Sequence, residues 1–217
     1  MRFLWSTHPK LKGPETWLHY HLYVILDIFS RMVVGWMVAT RESAELAVRL
    51  IKATCKKQGI KPDQLTLHAD RGSSMKSKAV AYLLSDLGVT KTHSRPNVSD
   101  DNPYSESQFK TMKYRPEFPK RFGSLQDARS FCKKFFSWYN TEHYHSGIGL
   151  HIPENVHYGR AAAINEQRFT TLSRAFALHP ERFVKGTIAP LQFPTAAWIN
   201  PPKPQTSVVS SIDPTLH

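Results

Sequence analysis

The segment YHLYVILDIFSRMVVGWMVAT, residues 20–40, decides the fold because it carries the strongest strand signal in the chain. Valine, isoleucine, tyrosine and phenylalanine dominate it, and these residues favour extended backbone. The segment is too long for one strand, and the polar pair Ser30-Arg31 just after Asp27 predicts an antiparallel hairpin. Both halves are almost continuously hydrophobic, so we expect both faces to be buried in a sheet with helices above and below.

Outward from this hairpin, strand and helix patterns alternate. The first strand pattern precedes the hairpin, and two helical periods and two further strand patterns follow it: residues 1–7, 41–60, 65–70, 77–89 and 89–94. The segment HPKLKGPE, residues 8–15, favours a turn-rich loop. The order β, hairpin, α, β, α, β predicts an α/β fold whose sheet contains both parallel and antiparallel pairs.

The second half of the chain is predominantly helical and then changes in texture. A loop rich in turn residues at 96–106 leads into a helix over about 104–114, and a long helix follows over 124–147, ended by Gly147. One more helical pattern lies beyond residue 150. Residues 187–217 are Pro-rich and polar, which predicts an extended arm that is disordered past residue 203.

The composition indicates a polyanionic partner. The 217 residues contain 29 Lys and Arg against 17 Asp and Glu, a formal net charge of +12, which favours nucleic acid over a membrane surface. No apolar stretch of about 18 residues predicts a membrane span, and the start of the chain lacks the apolar centre of a signal peptide. Cys55 and Cys132 both fall in helical patterns, so we interpret them as small core residues of a cytoplasmic protein.

Two acidic residues are the candidates for chemistry. Asp70 ends the strand pattern 65–70, where catalytic side chains gather in α/β sheets, and Arg71 follows it; Glu106 lies 36 positions further on, in a helical pattern. Paired carboxylates are ligands for Mg²⁺ or Mn²⁺ rather than zinc, and two such ions promote phosphoryl transfer. The spacing alone leaves the alternative that Asp70 is a surface cap and Glu106 an exposed helix residue.

Two lysines strengthen the first interpretation. Glu106, Lys110 and Lys113 share one face of the predicted helix, so the lysines could hold the phosphate backbone of a nucleic acid beside the acid. The alternative is an ordinary ion pair between Glu106 and Lys110, one helical turn apart. The four histidines at 143, 145, 151 and 157 lack the tight spacing of a zinc site, and we expect them to make polar contacts and pack in loops.

Four motifs in this order resemble the integrase-type catalytic core of bacterial insertion-sequence transposases, which are similar to retroviral integrases. The motifs are HLYVILDIFSRMVVGW, LHADRGSSM, SRPNVSDDNPYSESQFKTMK and WYNTEHYHSGIGLHIPENVHYG. The resemblance implies a ribonuclease-H-like fold, with a mixed five-stranded sheet flanked by helices. It also implies a catalytic core over residues 1–160, followed by a C-terminal helix and extended arm over 161–217.

The resemblance further implies an Asp-Asp-Glu triad that holds two Mg²⁺ or Mn²⁺ ions. Asp70 would be its second acid and Glu106 its third, while Lys110, Lys113 and Arg71 would contact DNA. The expected activity is cleavage at the ends of an insertion sequence and strand transfer into target DNA by direct phosphoryl transfer. We expect a bacterial, nucleoid-associated homo-oligomer on DNA.

The first acid of the triad is missing. The family carries a pattern like Trp-Asp-Ile-Thr before Lys-Leu on its first strand, whereas residues 5–11 here are WSTHPKL, with Thr7 at the aspartate position. Asp27 is the nearby alternative, although its expected role is to cap the hairpin. The altered first strand and the absence of the usual N-terminal DNA-binding helices suggest a truncated or frame-shifted copy. Two hypotheses follow: a transposase impaired by the missing acid, or a non-catalytic remnant that binds DNA or pairs with other subunits.

Overall fold

Five strands form one mixed sheet in the computed structural model, which describes residues 1–69, 74–93, 103–184 and 188–199, and of residues 8–10 and 93 the backbone only. The strands are β1 (Arg2–Lys12), β2 (His19–Asp27), β3 (Val33–Ala39), β4 (Thr66–Ala69) and β5 (Thr90–His93). The helices are α1 (Ala44–Lys57), α2 (Lys78–Asp86), α3 (Pro103–Lys113), α4 (Leu125–Thr141), α5 (Pro153–His157) and α6 (Ala161–Leu178).

The spatial order of the strands is β3-β2-β1-β4-β5. β1, β2 and β3 pair antiparallel, while β4 is parallel to both β1 and β5. The predicted hairpin is confirmed, since β2 ends at Asp27 and β3 begins at Val33. The loop predicted from residue 8 is wrong for its first part, because β1 continues to Lys12; its register shifts between His8 and Leu11, around Pro9, which has no amide proton to donate.

Two apolar layers cover the two faces of the sheet, as the continuous hydrophobicity of the hairpin predicted. On one face, Phe3, Trp5, Tyr23 and Ile25 pack with residues of α1 and α2. On the other face, alternate residues of the same strands pack with residues of α3 and α4: Leu4, Leu22, Val24, Leu26, Phe109, Met112, Phe135 and Phe136. Successive strand residues point to opposite faces, so each neighbouring pair in β1 divides between the two layers.

The long helix is shorter than predicted. α4 ends at Thr141, six positions before Gly147, because the chain folds back: the amide of His143 donates to the carbonyl of Trp138 at 3.1 Å, and the two rings lie 4.7 Å apart.

Cys55 and Cys132 are buried, free thiols, as expected for small core residues.

The C-terminal part consists of α6 and an arm. α6 buries only Ala161 and Asn165. Residues 188–199 form no helix or strand and lie against the core at Gly149, where an added Cβ would come within 2.8 Å of the Gln192 backbone. The predicted disorder past 203 falls outside the described residues, and the division at residue 160 stays a prediction. No helix in the described part of the chain is long and apolar enough to span a membrane.

Candidate metal and DNA site

The strand β4 ends immediately before the first candidate acid in the sequence. β4 ends at the buried Ala69, which pairs with Trp5 of the parallel strand β1. Asp70 and Arg71 follow directly in sequence, but both lie outside the described residues. The spatial relation of Asp70 to Glu106 therefore stays a prediction.

Helix α3 presents Glu106 to solvent. Pro103 begins the helix, a position that suits proline because its missing N–H has no partner within the helix there. Ser105, Gln108, Phe109 and Met112 form the buried face, whereas Glu106, Lys110 and Lys113 are exposed. The Glu106 carboxylate makes no ion pair with Lys110 and no hydrogen bond to any other residue that the structure describes. The ordinary ion pair is absent from this region, and the carboxylate oxygens are available to a ligand.

Thr7 lies on β1 opposite Tyr23 of β2. Because strand residues alternate between faces, Thr7 shares the face of Trp5 and Tyr23, which α1 and α2 cover. Its neighbour Ser6 shares the face of Leu4, which α3 covers. Ser6 is also buried, and its hydroxyl oxygen has no hydrogen-bond partner in the described part of the chain. Sequence alignment had singled out only Thr7, although the alternation of strand residues could have identified Ser6.

Asp27 has every sign of a structural carboxylate. Its oxygens accept hydrogen bonds from the Ser30 hydroxyl at 2.6 Å and the Phe29 amide at 3.2 Å, and His157 Nδ1 lies 2.9 Å from Oδ2. Burial would raise the pKa of Asp27, but the hydrogen bonds from His157, Ser30 and Phe29 outweigh it and lower that pKa. His157 Nε2 in turn lies 3.0 Å from Gln58 Oε1 at the end of α1.

The sheet register also separates Asp27 from the edge where β4 ends. Asp27 pairs with Phe3, which pairs with Leu67, two residues before Ala69. With strands about 4.8 Å apart and residues rising about 3.3 Å each, Asp27 and Ala69 are roughly 12 Å apart. Because of this separation, and because its oxygens are already bonded to Ser30, Phe29 and His157, Asp27 is a poor substitute for the missing acid.

The histidines make polar and packing contacts, as the sequence predicted. His151 Nε2 lies 2.9 Å from Asn165 Oδ1, and the ring of His145 packs edge-on against Tyr139 at 4.8 Å. Burial, with the neighbouring His143 and Arg31, lowers the pKa of His145 to about 3. Within the described ranges no three His, Cys, Asp or Glu side chains lie close enough to hold a metal ion; Asp70 is not among the residues tested.

Comparison with protein families matches two overlapping parts of the chain. Two family models, both described as integrase core domain, match residues 5–99 and 87–153. Together they extend from β1 to α5 and include Asp70 and Glu106. The chain is 30% identical over 136 residues to the transposase for insertion sequence element IS904 of Lactococcus lactis subsp. lactis (strain IL1403), covering 62% of this chain and 53% of the relative.

Transposase InsF for insertion sequence IS3A of Escherichia coli (strain K12) is 28% identical over 145 residues, 66% of this chain and 49% of the relative. The chain thus spans about half the length of these relatives. Among solved structures, the catalytic core domain of BIV integrase superposes with a TM-score of 0.52 at 18% identity, covering 75% of this chain and 96% of that one.

The HTLV-2 integrase catalytic core domain, solved in complex with magnesium, gives a TM-score of 0.53 at 13% identity, covering 72% of this chain and 94% of that one. At these identities the likeness concerns the fold alone. It confirms the expected ribonuclease-H-like arrangement of a mixed five-stranded sheet flanked by helices.

Proposed function

Because the chain belongs to the integrase core family, we propose that it acts in DNA transposition, cutting and joining DNA by metal-dependent phosphoryl transfer. The observation that carries the proposal is the position of Glu106: an exposed acid without a partner among the described residues, on a helix face that also presents Lys110 and Lys113. It lies within the region matched to the integrase core domain, as does Asp70, the next residue in sequence after β4.

Asp70 and Glu106 are the proposed metal ligands. Both offer hard carboxylate oxygens, which suit Mg²⁺ and Mn²⁺, and those of Glu106 are not occupied by any described residue. When bound, two such ions supply activation of an attacking water or 3′-hydroxyl and stabilise the leaving oxygen of the phosphodiester. Thr7 contributes at most a neutral hydroxyl where the family has a carboxylate, so we propose that at least one metal site is weakened and turnover reduced.

Lys110 and Lys113 are the proposed DNA contacts, together with Arg71. The two lysines lie one and two helical turns beyond Glu106 and are exposed, so a phosphate backbone held by them would pass beside that acid. The net charge of +12 supports this arrangement. The proposed DNA partners are the ends of the insertion sequence and its target, bound by a homo-oligomer.

A second candidate function is a non-catalytic remnant that binds DNA or pairs with transposase subunits. The observation that favours it is Thr7 at the position of the first acid, because the nearby alternative, Asp27, is engaged by Ser30, Phe29 and His157. Both candidates predict DNA binding that weakens with salt, because each phosphate contact releases condensed counterions.

A strand-transfer assay separates the two candidates. The substrate is an oligonucleotide with the end sequence of the element that encodes the chain, incubated with Mg²⁺ or Mn²⁺. We expect weak or no products from the natural sequence and at least about 100-fold more from Thr7→Asp, because a restored ligand completes the site. Ser6→Asp is the matched comparison, since Ser6 lies on the face of β1 that α3 covers.

The controls fix the assignment of the site. Glu106→Gln or Asp70→Asn, added to whichever variant is active, should abolish the products while DNA binding remains. If the natural sequence is active and keeps that activity in Asp70→Ala or Glu106→Ala, the proposed site is wrong. If neither Thr7→Asp nor Ser6→Asp is active although DNA binding remains, the non-catalytic function is supported instead.

A further inference from the structure

The arm crosses the core and is fixed at both ends of its described part. At its beginning, Asn165 Nδ2 of α6 donates to the Leu191 carbonyl at 3.3 Å, and the ring of Phe193 lies 5.7 Å from His151. At its end, Ala197 and Ile199 are partly buried in the apolar layer that contains Phe109 and Met112 of α3. The arm thus connects α6 with α3.

Trp198 joins this end of the arm to two other elements. Its carbonyl accepts a hydrogen bond from the Tyr104 hydroxyl at 2.9 Å. Its ring, 43% exposed, lies under the guanidinium of Arg2 at the start of β1, 4.4 Å from carbon to ring centre. Trp198 therefore packs against β1 and α3 of its own chain.

Tyr104 is held from its other side as well. The guanidinium of Arg31, in the hairpin turn, lies 3.9 Å from the centre of the Tyr104 ring. Tyr104 and Glu106 both belong to the first turn of α3. Arg31 of the hairpin and Trp198 of the arm therefore both contact the first helical turn of α3, which carries the proposed metal ligand Glu106.

These contacts are important because the ends of a helix fray more readily than its middle. The N–H groups in the first turn of α3 have no partner within the helix, and a metal ligand must be held to within about 0.5 Å to act. We propose that Trp198 is a positioning residue: through Tyr104 and Arg2 it fixes the first turn of α3 and so the place of Glu106. The inference rests on the proposed function of Glu106 for its consequence, but not for the contact itself.

Hydrogen exchange of the full chain, followed by mass spectrometry, tests the contact without any activity. Trp198→Ala removes the ring over Arg2, and Tyr104→Phe removes only the hydroxyl that donates to the arm. Tyr104→Phe loses one hydrogen bond worth about 1 kcal/mol, and Trp198→Ala loses a cation–π contact worth about 0.5 to 1 kcal/mol. We therefore expect the amides of residues 107–109, which bond to the first turn of α3, to exchange about two- to fivefold faster in either variant. Exchange in α4 and the central strands should not change, and Trp198→Phe should restore the natural rate.

Trp17→Ala is the control, because Trp17 is 79% exposed and lies in the loop between β1 and β2. It should leave exchange in α3 unchanged. If Tyr104→Phe and Trp198→Ala speed exchange only in the arm, or everywhere equally, Trp198 does not position α3 and the inference is overturned.

The consequence for the site is measured as a metal dependence. In the active Thr7→Asp background, Trp198→Ala should raise the Mn²⁺ concentration needed for half-maximal strand transfer about fivefold, whereas a purely stabilising contact would lower the melting temperature and leave that concentration unchanged. Trp198→Phe should return it to the parent value. Should Thr7→Asp itself show no activity, the proposed function fails, while the exchange experiment still decides whether the arm positions α3.

Discussion

Asp27 and Glu106 are two carboxylates with opposite surroundings. Asp27 is 7% exposed, and its oxygens are engaged by a hydroxyl, a backbone amide and an imidazole. Glu106 is exposed on the first turn of a helix and has no bonding partner in the ranges that the structure describes. The Asp27 carboxylate is bonded within the fold, whereas the Glu106 carboxylate has no hydrogen bond to the described residues.

The difference separates a structural acid from a candidate ligand. A buried carboxylate that already takes part in three hydrogen bonds has few lone pairs left for an ion, whereas an exposed one loses only water. Asp27 links the hairpin turn to α5 through His157 and, through Gln58, to the end of α1. Replacing Asp27 should therefore change stability, and replacing Glu106 should change chemistry.

Asp27→Asn has the largest expected effect. The substitution removes the charge to which the Ser30 hydroxyl, the Phe29 amide and His157 are bonded. A hydrogen bond to a charged group is worth about 1.5 to 3 kcal/mol, so the free energy of unfolding should fall by about that amount in a urea titration. Asp86→Asn, at an exposed position on α2, is the matched control and should stay within about 0.5 kcal/mol. A change as small as that of the control in Asp27→Asn would show that the buried cluster does not stabilise the fold.

Glu106→Gln should have the opposite effect to Asp27→Asn: it should lower activity and leave stability unchanged. Loss of an outer-shell partner of a metal typically costs about 10- to 100-fold in activity, so loss of a ligand should exceed about 100-fold in strand transfer by the active variant. The melting temperature should not change, since the side chain is exposed. Ser107→Ala, an exposed neighbour on α3, should keep full activity. If the Glu106→Gln protein is fully active, Glu106 is not a metal ligand; if it is unfolded, Glu106 serves stability as Asp27 does.

Much of the fold could be predicted because its signals are local. The apolar run at 20–40 predicted the hairpin with both faces buried, and the helical patterns over 41–60 and 77–89 predicted α1 and α2. The end of α4 could not be predicted from Gly147, because contacts of His143 with Trp138 turn the chain earlier. The length of β1 was missed for a similar reason: the partner strand β2 extends pairing through a stretch that looks like a loop by itself.

The candidate site was predictable in its types of residue but not in its geometry. Spacing and the family resemblance identified Glu106 and the lysines, yet the absence of an ion pair between Glu106 and Lys110 appears only in three dimensions. Tyr104 contacts Arg31 and the Trp198 carbonyl, which are separated from it by 73 and 94 positions in the sequence, respectively. Contacts of that range leave no periodicity in the sequence.

The stabilisation by Asp27 should also depend on pH. Hydrogen bonds hold the pKa of folded Asp27 below its ordinary value despite burial, whereas an unfolded aspartate titrates near about 3.9. The stabilisation is then complete above the unfolded pKa and is lost as the pH falls through the folded pKa. The gap in unfolding free energy between the natural protein and Asp27→Asn should therefore be constant above about pH 5 and narrow towards about pH 3. A gap that widens in acid would contradict the lowered pKa of Asp27.

The smallest predicted effect concerns the buried face of the helix that carries Glu106. Gln108 is 1% exposed, and neither its amide nitrogen nor its oxygen has a hydrogen-bond partner among the residues that the structure describes. An unpaired buried polar group costs about 1 to 3 kcal/mol, and methionine has a similar shape without that cost. Gln108→Met should thus raise the free energy of unfolding by about 1 kcal/mol, with Ser107→Ala as the neutral comparison. A loss of stability instead would mean that the Gln108 amide is satisfied by water, and that α3, like the hairpin turn at Asp27, is held by a buried polar contact.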